Sequence, residues 1–248
     1  MRKKSFNTVL FSLAAIVLAT FPASVLGATY LYPWDTGSSV SIVDADPPGS
    51  PTNTGNDITK AWYAYGTEGS TGYHYFRMDL SGVPTSANAW NMYGMYIDSK
   101  PGGATSADIH IPFADGVIPP AAGIDMIIFS FIRGGAASGM ALQWDEGLVA
   151  WKLVNFQYSP DANLLAQNSM NGGKTLEWRF LDYPSSDWRY INTPFSFWGG
   201  IMLAPGIAPV KTTYDVTGQV VTPIPNAAWL MGAGIIALVG LKRRKPRQ

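Results

Sequence analysis

Between Ala28 and Thr222 the chain alternates short apolar-rich runs with turn residues. Tyr, Trp, Phe, Ile and Val cluster in the runs, and Gly, Pro, Asn, Asp and Ser break them up. This rhythm predicts strands, because β-branched and aromatic side chains suit a pleated surface and Gly and Pro punctuate it. Strands are expected at 39–44, 58–65, 73–80, 90–98, 108–113, 125–133, 141–145, 149–158, 175–181, 195–203 and 212–216. A short helix is expected near 161–169, and no longer helical period appears. Many short strands with tight turns imply an all-β fold, an antiparallel β-sandwich or jelly roll, in one domain. The Pro- and Gly-rich stretch 46–55 is a loop within that domain, because too little chain precedes it to form another.

Period-two alternation assigns faces within these strands. In 73–80, His74, Phe76, Met78 and Leu80 share a face that points inward, and Tyr73, Tyr75, Arg77 and Asp79 share the outward one. The run 125–133 is apolar on both faces, with Met126 and Ile128 against Ile127, Phe129 and Phe131, so it is expected at the centre of a sheet covered on both sides. In 175–181, Leu176, Trp178 and Phe180 alternate with Thr175, Glu177 and Arg179. That second face is suited to a Glu177–Arg179 or a cross-strand ion pair.

Both ends depart from the strand pattern. Arg2, Lys3 and Lys4 precede a 13-residue apolar core, Val9 to Phe21, and then small residues. Val25 and Gly27 fit the −3 and −1 positions of a signal peptidase site between Gly27 and Ala28, so residues 1–27 read as a secretory signal helix that passes through the Sec translocon. The alternative is an uncleaved anchor, but the run is short of a ~20-residue span. At the other end, Pro223-Ile224-Pro225 precedes 15 apolar residues, 227–241, and then Lys242, Arg243, Arg244 and Lys245. Such a basic stop stays cytoplasmic by the positive-inside rule, and Trp229 sits where an interfacial aromatic belongs. The chain therefore divides into a signal peptide (1–27), a β-sandwich body (28–219) and a tail (220–248) carrying a short transmembrane helix.

Charge follows the same division. The formal net charge is zero, but all 17 carboxylates lie in the body beside only nine basic residues, a balance of −8. An acidic body without a basic stripe argues against nucleic-acid binding. The chain has no cysteine, which excludes disulfides, thiolate metal sites and a cysteine nucleophile; His74 and His110 are its only histidines, too few for a multi-histidine metal cage.

The tail resembles the PEP-CTERM sorting signal of Gram-negative bacteria that make extracellular polysaccharide. Here Ile224 stands where that family has Glu, and the run Pro225-Asn-Ala-Ala-Trp-Leu-Met-Gly-Ala-Gly is closer to a variant subclass with small residues, Trp and a Gly pair. The resemblance covers about the last 27 residues. It implies an exosortase, an integral-membrane cysteine transpeptidase, as the partner that cleaves near Pro223–Pro225. It also implies transient lodging in the inner membrane and a mature form at the cell surface or in the matrix. The substitution at 224 leaves the exosortase subtype open, and a simple single-pass tail anchor remains the alternative. In the body, the blocks 57–65, 73–80, 93–98 and 175–180 are similar to DOMON and carbohydrate-binding-module jelly rolls, which implies a fold and, more distantly, sugar binding.

Candidate chemistry in the body is sparse. No nucleophile elbow, HExxH or phosphate-cradling loop is present, and Gly135-Ala-Ala-Ser-Gly139 has the wrong spacing for the first. His74, sharing a face with Phe76 and Met78, reads as a core or edge histidine; His110 reads as a solvent-facing strand residue. Glycoside hydrolysis needs two carboxylates across the scissile bond. Glu146 and Glu177 are the candidates, although Asp145-Glu146-Gly147 also suits a plain turn. Asp44, Asp46, Asn53, Asn56 and Asp57 gather hard oxygen ligands around one loop, so a structural Ca²⁺ on Asp44, Asp46 and Asp57 is a weaker option beside the ordinary use of Asx residues in turns. Tyr63, Tyr65, Tyr73 and Tyr75 are candidates for a flat sugar-stacking platform if their strands pair; the alternative is that the rings fill the core. The expectation is thus an exported, non-enzymatic structural or adhesive protein of an exopolysaccharide matrix, with no catalytic residue and no cofactor beyond that Ca²⁺. A module that binds the matrix polysaccharide is the first alternative, and a secreted glycosidase the second.

Overall fold

The structure, a computed structural model, describes residues 30–35, 37–44, 57–84, 91–104, 123–133, 136–156, 163–203, 215–217 and 219–222. Among these lie twelve strands: β1 (Ser39–Val43), β2 (Ile58–Glu68), β3 (Thr71–Leu80), β4 (Asn91–Asp98), β5 (Met126–Arg133), β6 (Ala136–Asp145), β7 (Ala150–Phe156), β8 (Leu164–Met170), β9 (Thr175–Leu181), β10 (Ser196–Leu203), β11 (Asp215–Val216) and β12 (Val220–Val221). A single 3₁₀ turn, Asn171–Gly173, joins β8 to β9. The strands form two antiparallel sheets, a β-sandwich. One runs β1-β2-β3-β9-β8; the other runs β11-β10-β4-β5-β6-β7, with β12 also on β10.

The expected alternation decides what lies between the sheets. Phe76, Met78, Leu176, Trp178 and Phe180 point inward from the five-stranded sheet, and Tyr93, Met95, Ile97, Met126, Ile128 and Phe197 meet them from the other. Burying each such side chain contributes roughly 1.5–3 kcal/mol before entropy is counted. β5 is central and covered on both sides: Met126 and Ile128 face the main core, while Ile127 and Phe129 join Tyr96 and Trp198 in a second buried cluster on the outer face. The β2–β3 hairpin closes with Glu68 opposite Thr71, and Gly69 takes the left-handed backbone (φ 63°) that this two-residue turn requires.

The structure corrects the sequence reading in several places. The helix expected at 161–169 is instead strand β8. Leu164 and Ala166 are buried while Leu165 and Gln167 face out, a period of two imposed by pairing with β9. β6 begins at Ala136, five residues before the expected start. Its small residues are there because the sheets approach closely: a Cβ on Gly139 would lie 2.9 Å from the Ala166 Cβ. Pairing also extends beyond residue 219, because β12 lies on β10 and Thr222 is tied to Phe195. The strand expected at 108–113 and both terminal segments lie outside the described residues. Among the described residues no helix is long and apolar enough to cross a membrane.

Candidate functional site

β2 and β3 pair, as the tyrosine platform requires, but the register divides the four rings between two faces. Tyr63 lies opposite Phe76 and Tyr65 opposite His74, on the inner face. Tyr75 lies opposite Ala64 and Tyr73 opposite Gly66, on the outer face. Tyr63 is buried in the main core, and Tyr75 is buried with Trp34 and Ala64 beneath the N-terminal segment. The four rings therefore do not make one platform.

The inner-face pair builds a polar network at the edge of the core. The Tyr63 hydroxyl lies 3.0 Å from Nδ1 of the buried His74, whose Nε2 is 3.4 Å from Oδ1 of Asp182. Tyr65 donates its hydroxyl hydrogen bond to the other Asp182 oxygen at 2.8 Å. Gly72 makes room for this last contact, since a Cβ there would sit 2.3 Å from the Tyr65 hydroxyl. The His74 imidazole beside Asp182, helped by Tyr65, holds the Asp182 carboxyl below the usual range. Burial, then Asp182, push the Tyr65 phenol up to about 12, and burial drives the Tyr63 phenol higher still. Both phenols thus stay protonated at neutral pH, held by the network and not activated by it. His74 is a core-edge histidine, as its face predicts. Asp182 was not singled out in the sequence, because it follows β9 in a connection and only the sheet register brings it to His74.

The outer face of the same sheet is equally polar. Glu177 is fully buried there and accepts hydrogen bonds from the Trp34 indole, the Gln167 amide and, at 3.3 Å, the Leu31 backbone N–H. Burial nevertheless raises its carboxyl above the ordinary range. Arg179 pairs with Glu68 at 2.6 Å and not with Glu177, so its ion pair is the cross-strand option. Asp79 gathers Trp62 (2.8 Å), Arg77 (2.9 Å) and Thr175 (2.8 Å). Cations cover the aromatic faces: Lys60 lies 3.6 Å from the Trp62 ring centre, Arg77 4.9 Å from Tyr30, and Arg179 4.7 Å from Tyr73. A ring stacked under its own cation has that face occupied. On this sheet aromatics and charges fasten the Tyr30–Trp34 segment to the strands.

The two candidate glutamates lie on different sheets. Glu146, at the exposed tip between β6 and β7, accepts the Gly103 N–H at 2.5 Å, and Asp145 beside it pairs with Lys152. Asp44 and Asp57 flank the loop that joins β1 to β2, but Asp46 lies outside the described residues, as do Asn53 and Asn56. No group of three or more acidic or histidine side chains among the described residues is placed to hold a metal. A shallow depression of about 340 Å³ opens beside the end of β4, lined by Asp98, Ser99, Lys100, Pro101, Pro194, Phe195, Ser196 and Val221. Gly27, Ala28, His110, Pro223, Ile224, Pro225 and Lys242, Arg243, Arg244 and Lys245 also lie outside the described residues. No family model, curated protein or solved structure matches this chain.

Proposed function

We propose that this chain is the precursor of an exported cell-surface or matrix protein with a structural or adhesive, non-enzymatic role. The signal peptide is removed before Ala28, the 227–241 segment lodges in the inner membrane as a short helix, and an exosortase-type enzyme cleaves near Pro223–Pro225. The cleaving chemistry belongs to that enzyme; the prolines here serve recognition.

What supports this reading is how closely the folded body fits between the two signals. At one side Leu31 and Trp34 are fastened to Glu177, a few residues after Ala28. At the other, Thr222 hydrogen-bonds with Phe195 through backbone and hydroxyl (2.8–3.1 Å), and the next residue is Pro223. Both proposed cuts thus leave the sandwich whole. On the outer face of the five-stranded sheet Trp62 and Tyr73 already lie under intramolecular cations and Tyr75 is buried, which favours a structural role over sugar stacking on that face. Intact-mass measurement by cell fraction tests the proposal. The surface species is expected to begin at Ala28 and to lack Lys242–Gln248; a surface species that retains those residues rejects processing.

A further inference from the structure

The exposed apolar side chains of the sandwich are not spread evenly. Leu148 (65%), Val149 (64%), Trp188 (51%) and Val221 (65%) are at least half exposed and share one end. The register shows why. Asp98 at the end of β4 lies opposite Ser196 at the start of β10, and Ser196 lies opposite Val221. Ile97 pairs with Met126 at the start of β5, and Met126 with Gln143, close to the β6–β7 tip that carries Leu148 and Val149. Trp188 is held at this same end. Its carbonyl accepts the Lys100 ammonium at 3.1 Å, and Lys152 lies 5.9 Å from its ring centre. Val43 and Val83, the exposed valines of the five-stranded sheet, sit at the other end, at the close of β1 and just after β3.

The last described residue, Thr222, lies at that apolar end. Thr222 is clasped to Phe195, at the start of β10. From Thr222 to Ala227, where the apolar tail segment begins, five residue steps reach at most about 18 Å. The headgroup layer on each side of a bilayer is itself about 5–8 Å thick. Resting on the reading of 227–241 as a lodged segment, we infer that this end of the sandwich sits on the lipid surface while the precursor is tethered. Leu148, Val149 and Trp188 enter the interfacial layer. Tryptophan is suited to that depth, and clustered exposed apolar residues mark an interaction surface. At this end Asp145 pairs with Lys152 and Asp187 with Arg189, while Glu146 and Asp98 add negative charge, so nothing here draws anionic lipid. The contact is therefore apolar and does not depend on anionic lipid. After cleavage the tether is lost, and the weak apolar contact alone releases the body.

The absence of cysteine makes single-site labelling direct. Full-length precursor carrying one environment-sensitive fluorophore at Leu148→Cys, Trp188→Cys, Val83→Cys or Ile235→Cys is reconstituted into phosphatidylcholine vesicles. Labels at 148 and 188 are expected to lose most of their quenching by aqueous iodide and to be quenched by headgroup-level nitroxide lipid. The label at 83 stays open to iodide, and adding phosphatidylglycerol leaves the pattern unchanged. If the label at 235 is buried in lipid but those at 148 and 188 quench like the one at 83, the surface contact is rejected and the tail reading stands. If the label at 235 is itself open to iodide, the tail reading fails and this inference fails with it.

Discussion

Glu177 has the surroundings of a buried carboxylate that must be satisfied to exist. Its three donors come from the N-terminal segment and from β8, so the side chain ties both to β9. Trp34→Phe keeps most of the ring but removes one donor, leaving a buried acceptor short of a partner, which costs roughly 1–3 kcal/mol. Urea unfolding is expected to show that loss, and an unchanged midpoint would mean that the indole contact contributes nothing. Asp182 works in the opposite electrostatic direction. Its folded pKa lies below the ordinary carboxylate value, so its contribution is present above that value and fades as pH falls through the lowered one. Asp182→Asn should therefore lower stability at neutral pH, where His74 loses its carboxylate, and flatten the acid-side decline below about pH 4. Urea midpoints measured across the acid range check this, and an unaltered slope would remove Asp182 as its source. The sequence assigned His74 to its face correctly. It did not point to Asp182, because alternation within a strand says nothing about which connecting residue folds back beside it.

The elements were legible wherever the pattern of two was strong. β3, β5 and β9 lie within two residues of the expected bounds, because their apolar residues fix the inward face. β8 escapes the pattern because local preference and tertiary pairing disagree: it forms the edge of the five-stranded sheet, and Leu164 and Ala166 supply its buried side. The early part of β6 was hidden for a related reason, since Ala137, Ser138 and Gly139 look like a loop unless the closeness of the facing sheet is known. The β6–β7 tip carries a different signal. Val149 holds a positive φ of 48°, a region unfavourable for a β-branched residue. Val149→Asn, better suited to that backbone, should stabilise the body by roughly 1 kcal/mol and raise Tm by about 2–4 °C in thermal unfolding. No gain, or a loss, would mean that the tip relaxes without strain. A strained, exposed valine at this end agrees with the lipid contact proposed for it.

At the scale of the whole molecule, charge and processing are one question. Of the eight basic residues outside the body, three lie before Phe6 and five after Leu241. The full chain has an isoelectric point of about 6.7, close to neutral only because its two ends offset an acidic body of −8. If both ends are removed, nothing offsets the body, and the surface species must focus far on the acid side of the precursor. A form that has lost only its signal peptide keeps five compensating positive charges and falls between them. Isoelectric focusing of each cell fraction thus separates three states that differ little in size, and a surface species focusing with the intermediate form would show that the tail remains. The same charge sets how the mature body meets an acidic polymer. Self-repulsion favours solubility, and no free basic stripe attracts the polymer, so retention on an anionic polysaccharide column is expected only when divalent cations bridge the two. Retention at low salt without such cations would instead require a direct binding face, and would move the reading from a structural matrix protein to a polysaccharide-recognition module.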